Sequence, residues 1–320
     1  MTSCCSKKFD CSQESIAIPC DWHTSLCTET PDDGCFRWWE SFKDTQLTAL
    51  IEEASTRNHD VRLAASQSRE LLLEAVNVVA ADVAQSYIEL RGSQRRLSLI
   101  KENIALQETS LLIGEGLLNK GFITTFNQNE YKTNLNMLLA QKAAIEFTIN
   151  KSIFHLSTLL NYTPKEMNEL LNQTCELPHL PCAIFVECPE ALVHRHPGIR
   201  EARKMYKKTG SKEAFYLYQK KVLGVLEDVQ DALAYLAFAS DKVSYLENNE
   251  RVKKESYLQI KDLISRGHKD QTDELSSHQE FLLQQDLVIQ SRIELLTSYI
   301  HLYRALSLGW EIGCCRGTGL

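Results

Sequence analysis

Proline is missing from two long stretches of this chain. All seven prolines (19, 31, 164, 178, 181, 189 and 197) fall outside 32–163 and 198–320. Proline inside a helix costs about 3 kcal/mol, so both stretches are predicted to be helical almost throughout. Glycine is scarce as well, with 13 in 320 residues. No two of the eleven cysteines show the C-x-x-C spacing that zinc sites favour. They gather near the N-terminus, at 175–188 and at Cys314-Cys315, as disulfide partners in an oxidising envelope compartment or as loose thiols of linkers. The odd count leaves at least one thiol unpaired or bridging chains. No run reaches the roughly 18 to 20 apolar residues of a transmembrane helix, and the first twenty residues lack the apolar stretch of a signal peptide. A basic stripe is missing too: 35 basic against 42 acidic residues give a charge of −7, which argues against nucleic acid as a partner.

Signatures of catalysis are equally scarce. Neither H-E-x-x-H nor G-x-S-x-G occurs. Gly114-Glu115-Gly116 with Gly121 lacks the Lys-Ser/Thr of a phosphate loop and falls within a helical stretch. His194 and His196 are the only weak metal candidates. No catalytic, cofactor-binding or metal-binding residue is expected, and the chain is not expected to be an enzyme.

What the chain does contain is an internal repeat at an offset of 146 residues, without a gap. Asp82-Val83 returns as Asp228-Val229, Leu90 as Leu236, Asn103 as Asn249, Ser110 as Ser256, Gly121 as Gly267, and Leu160 as Leu306. A solenoid repeats every 20 to 50 residues, so this is a duplicated domain-sized unit. Within the first unit Val83, Leu90, Leu97, Ile104, Leu111 and Leu118 recur every seven residues. The second carries Val229, Leu236, Val243, Tyr257 and Ile264 with one interruption at Glu250. Return stretches repeat the period through Leu138, Ile145 and Leu159, and through Leu282, Ile289, Leu296 and Tyr303. Such a period specifies a left-handed coiled-coil seam. Asn119-Lys120-Gly121 and Ser265-Arg266-Gly267 read as helix ends, a cation followed by a left-handed glycine. The predicted fold is all-α, two tandem antiparallel coiled-coil hairpins. Its divisions are an irregular Cys-rich leader at 1–37, a first repeat at 38–162, a Pro/Cys-rich linker at 163–197, a second repeat at 198–310 and a tail at 311–320. Heptads alone would fit a spectrin-like coiled coil; the duplication with matched glycine tips points elsewhere.

Four motifs carry a resemblance. Trp38-Trp39, Phe42, Asp44, Leu47 and Leu50 fit W-W-x-x-F-x-D-x-x-L-x-x-L, and Asn58, Asp60, Val61, Arg62 and Ala64 follow as N-x-D-[LV]-R-x-A. Leu192 to Ala202 is similar to L-x-x-R-R-P-D-I-R-x-A, with Gly198 where aspartate is usual, and Leu302-Tyr303 to Gly309-Trp310 is similar to L-Y-x-A-L-G-G-G-W. In this order they resemble the lipid-anchored branch of the TolC-like outer-membrane efflux family. The resemblance implies a homotrimer whose six hairpins close a periplasmic tunnel, continued by a barrel through the outer membrane. It implies a periplasmic adaptor protein and an inner-membrane pump as partners, and a passive conduit for efflux or secretion in the bacterial envelope. By motif, Gly121, Phe122, Ile123 and Thr124 of one tip and Gly267, His268, Lys269 and Asp270 of the other face the adaptor. Asp273 matches an acidic residue of the closed entrance, while Ser276 occupies the second such position. Thr125 and Asp270 read equally as N-caps of the return helices. The resemblance implies that Cys4 or Cys5 corresponds to the lipidated cysteine, and a start upstream of Met1 is then expected.

The chain departs from that family where barrel strands belong. About sixty residues of strand and turn are expected before each long tunnel helix. Here Ala64 runs into Val78 within a single polar-apolar stretch, and only eight residues separate Gly210 from Gln219 to Leu223. A membrane strand needs roughly 9 to 11 alternating residues, and neither junction holds one. The alternative expectation is therefore a barrel-less helical scaffold or adaptor-binding protein that conducts nothing.

Overall fold

The computed structural model describes residues 18–24, 37–172, 176–179, 184, 186, 188–268 and 270–307. Among them are nine α-helices: α1 (Thr45–Arg57), α2 (His59–Ala65), α3 (Arg69–Asn119), α4 (Thr125–Leu160), α5 (Pro164–Leu171), α6 (Pro189–Arg195), α7 (Pro197–Thr209), α8 (Lys212–Ser265) and α9 (Gln271–Leu306). A single 3-10 turn, Trp38–Phe42, precedes α1. No β-strand occurs among the described residues.

The long helices make two hairpins, α3–α4 and α8–α9. Each return helix is 36 residues long, and its start and end lie 146 positions after those of its counterpart. The outgoing helices, of 51 and 54 residues, are each about 75–80 Å long at 1.5 Å per residue. Contacts order the four as α4–α3–α9–α8, so α3 and α9 join the two repeats and α4 and α8 are the flanks.

The predicted heptads mark real seams. Val83, Leu90, Val229, Leu236 and Val243 are buried, and so are Leu138, Ile145, Leu159, Leu282, Ile289, Leu296 and Tyr303. Toward the tips the outgoing seams are only half-buried, at Leu97, Ile104, Leu111 and Leu118. The interruption at Glu250 is bridged: Gln285 Nε2 of α9 donates to its carboxylate at 3.1 Å.

The broad end of the molecule holds the largest core, and there the N- and C-terminal motifs meet. Trp38, Trp39 and Phe42 are fully buried. The Trp38 ring stacks on Tyr303 at 5.5 Å and meets Trp39 edge-on at the same distance. Asp44 caps α1 by accepting from the backbone N–H groups of Gln46 and Leu47, and its other oxygen accepts from the Tyr87 hydroxyl at 2.9 Å. Asn58 caps α2 and donates from Nδ2 to the Leu159 carbonyl at 3.0 Å, pinning the short helix to the end of α4.

Two details add to the reading from composition. The Pro/Cys-rich linker at 163–197 holds helices of its own, because Thr163 and Glu166 form a capping box that starts α5 with Pro164 at its first turn. Proline reads as a breaker in a composition count, yet at the first turn it favours a helix. The second concerns membrane spans: α3 does contain a stretch long and apolar enough to cross a bilayer by composition. Of that stretch 56% is buried inside the protein, which is the environment of a core helix flanked by α4 and α9.

Candidate functional site

The site with the most distinctive chemistry is the pair of hairpin tips. Both helices α3 and α8 end in the same double-bonded turn. Gly121 N–H donates to Leu118 O and Phe122 N–H to Leu117 O, both at 2.9 Å; Gly267 donates to Ile264 O at 2.9 Å and His268 to Leu263 O at 3.0 Å. The glycines sit at φ +76° and +75°, which a side chain would disfavour by about 1–2 kcal/mol. The sequence signal for both elbows is thus a backbone requirement.

At the first tip Gly121, Phe122 and Thr124 are exposed and Ile123 is half-buried. Phe122 is 74% and Phe126 75% exposed, the highest values among the exposed large hydrophobic residues described. Nearby on α3, Leu112 is 69% exposed. The N-cap of α4 is Thr124, not Thr125, which is the first helical residue. Asn127 Oδ1 accepts from both the Thr124 N–H (3.2 Å) and its hydroxyl (2.7 Å). Two adjacent threonines offer the same side chain, and only the turn geometry selects between them.

The second tip has another character. Gly267, His268, Asp270, Asp273 and Ser276 are exposed, and Lys269 lies outside the described residues. Asp270 occupies the N-cap position of α9 but its carboxylate makes no capping hydrogen bond. Asp273 stands in the first turn of the same helix, where a carboxylate is favoured by the helix dipole. The two tips thus present one apolar and one polar, acidic surface. Cys4 and Cys5, like Gly309-Trp310 of the last motif, lie outside the described residues.

Away from the tips, His194 is exposed and His196 is buried. His196 is 6% exposed and its Nε2 lies 3.0 Å from Ser307 Oγ. Burial, with the charges of Lys221 and Arg195, pushes its pKa down to about 4. Arg195 donates to the carbonyls of Leu306 (2.7 Å) and Ser307 (3.0 Å), so it caps the C-terminus of α9. The Arg-His-Pro segment thereby locks the start of the second repeat onto its own end. No cluster of three metal-ligating side chains occurs among the described residues. A cavity of about 920 Å³ opens beside His196, lined in part by Glu74, Lys221, Asp228, Tyr235 and Arg304. Gly114 and Gly116 lie within α3, as a phosphate loop would not.

Sequence reasoning missed the polar joint between the repeats. Gln107 of α3 is 3% exposed; its Nε2 donates to Tyr131 O of α4 at 2.9 Å, and its Oε1 accepts from Gln279 of α9 at 2.7 Å. Arg96 makes a two-pronged pair with Asp286 at 2.7 and 3.1 Å. Gly92 sits so close to Ile293 of α9 that a β-carbon there would overlap it. The signal that could have found Gln107 is the row Ser93, Ile100, Gln107 and Gly114, a second seven-residue period hidden by its small and polar members.

No family model matches the chain. A curated relative, the pyoverdine export outer membrane protein OpmQ of Pseudomonas putida, is 31% identical over 98 residues, which are 30% of this chain and 20% of that protein. Among solved structures, the outer-membrane channel OprN aligns over 96% of this chain and 100% of its own, with TM-score 0.72 and 16% identity. The Campylobacter jejuni CmeC outer membrane channel aligns over 95% of both chains with TM-score 0.74 and 13% identity. The open state of the Neisseria gonorrhoeae MtrE channel covers 95% of this chain and 98% of its own at TM-score 0.68 and 13% identity. The chain has the helical fold of the TolC-like outer-membrane efflux channels, with no barrel strand among its described residues.

Proposed function

We propose that the protein is the channel-forming component of a tripartite efflux or secretion system in the bacterial envelope, a passive conduit built from a homotrimer. One observation carries this reading. The joint between repeats, Gly92 of α3 against Ile293 of α9, has exact counterparts in the duplication on the two free flanks: Phe238 of α8 and Phe147 of α4. Both are exposed, at 55% and 69%. Seven-residue steps extend each into a stripe, through Tyr245 and Val252 on α8 and Phe154 on α4, all more than half exposed. A flank of one copy that meets the next copy as α3 meets α9 buries both stripes. That contact is head-to-tail, and such contacts make a ring when the rotation between copies closes and an open filament when it does not.

The tips supply the docking surface in this reading. Gly121, Phe122, Ile123 and Thr124 offer an apolar knob, and Gly267, His268, Lys269 and Asp270 a polar one, to a periplasmic adaptor linked to an inner-membrane pump. Asp273 recurs three times around the closed entrance. Like charges at such a ring repel, so the entrance is cation-sensitive. Cys4 or Cys5 is the lipid anchor.

A specific observation favours a second reading. Only residues 66–68 separate α2 from α3, and only Gly210 and Ser211 separate α7 from α8. Neither junction has room for a strand of 9–11 residues. A chain that docks through its tips and conducts nothing, a helical scaffold, fits those junctions. Fractionation with liposome conductance separates the two: a conducting trimer extracted from outer membrane supports the conduit, and a non-conducting soluble monomer refutes it.

A further inference from the structure

We propose that the α7–α8 turn is a docking surface for anionic phospholipid. Residues 197–223 hold eight lysines and arginines against two glutamates, in a chain whose net charge is −7. The turn itself is well formed. Gly210 ends α7 at φ +60°, and the Ser211 hydroxyl accepts from Ala214 N–H to start α8. Residues 207–213 are exposed without a break, and Lys207, Lys208 and Lys212 surround the bend.

Apolar side chains share this surface. Met205 is 58% exposed, Tyr216 54% and Leu217 57%. Tyr206, Phe215 and Tyr216 form a chain of rings with centroids 5.2 and 6.0 Å apart. Lysines alone would suit any polyanion. Lysines beside exposed aliphatic and aromatic groups suit a bilayer surface, where cations meet the headgroups, rings sit at their level and aliphatic groups enter the acyl boundary.

The position fits a planar partner. Helices α3 and α8 begin at the same end of the molecule, where Lys221 Nζ lies 3.9 Å from Glu74 of α3. That end is opposite the glycine tips, so a bilayer against the turn leaves the tips clear. The inference goes beyond the conduit reading, since lipid binding and ring closure are read out separately.

Flotation of the full chain with lipid vesicles tests it, comparing phosphatidylcholine alone with phosphatidylcholine containing phosphatidylglycerol. The parent protein floats with the anionic vesicles, and high salt weakens the association. The variant Lys207→Glu/Lys208→Glu/Lys212→Glu loses at least about tenfold in binding. Met205→Ser/Leu217→Ser weakens it at unchanged charge. Circular dichroism checks that each variant is folded, and Lys→Gln at the same three positions replaces the first variant if it is not. Equal flotation on both vesicle types, or an unchanged charge variant, overturns the proposal. So does retention on heparin without vesicle binding, which would assign the lysines to another polyanion.

Discussion

Gln279 of α9 donates from Nε2 to Oε1 of Gln107 on α3 at 2.7 Å, and through Gln107 it is linked to the backbone of α4. One glutamine therefore holds three of the four long helices at a single level. Hydrophobic packing alone leaves antiparallel helices free to slide by a turn. A buried, two-sided hydrogen bond is satisfied in one register only.

Replacing Gln107 by leucine keeps the volume and removes both bonds, leaving the Gln279 amide half-buried without its acceptor. The expected loss is about 1–3 kcal/mol of stability. Urea denaturation followed by circular dichroism measures it. A variant as stable as the parent would show that apolar packing sets the register.

Gly92→Ala should destabilise by a similar amount, about 1–3 kcal/mol, since the added methyl overlaps Ile293 in a close helix crossing. The usual gain of about 1 kcal/mol for Gly→Ala in a helix is outweighed. Adding Ile293→Ala should restore part of the loss, and a double-mutant cycle reads the coupling. Independent, additive effects would contradict the crossing.

His196 makes stability pH-dependent. Its folded pKa, about 4, lies below the unfolded value of 6.5, so the unfolded chain binds the proton more readily. The contribution is full above pH 6.5 and is lost as pH falls toward 4, at a total of about 3 kcal/mol. Burial also lowers the pKa of His301, which acts in the same direction. Melting temperatures between pH 4 and 7 should fall less steeply in His196→Gln. An unchanged slope would remove His196 from the account.

These cases show what was legible in the residues beforehand. The apolar heptads, both glycine elbows and the 146-residue offset needed no coordinates, because each is written in one residue type at a fixed spacing. The α3–α9 joint was not readable in the same way. Besides the apolar Leu99, it is made by Gly92, Arg96 and Gln107, which in a periodicity count look like solvent-facing positions. Arg91 escaped for the same reason: it is fully buried, donating to Leu171 O at 3.1 Å and to Gln46 Oε1. Charge argues for exposure until distant partners are known. Both long outgoing helices end just before their glycines, and the first cap moved by one residue among adjacent threonines.

Phe122→Ser and Phe126→Ser together should leave the melting temperature within about 1 kcal/mol equivalent of the parent, because both rings are exposed. On the conduit reading the same pair weakens association with a periplasmic adaptor, measured by pull-down or interferometry, by at least about tenfold. Unchanged association would move the docking surface off the first tip.

The closed ring is tested most directly by a photo-crosslinking phenylalanine analogue in place of Phe147, with isotopically heavy and light copies mixed before irradiation. The expected products are crosslinks between heavy and light copies that map to α8 around Phe238, in a ladder that stops at three chains. Crosslinks confined to one chain, mapping elsewhere, or extending into an open-ended ladder would contradict a tube lined by the duplicated hairpins.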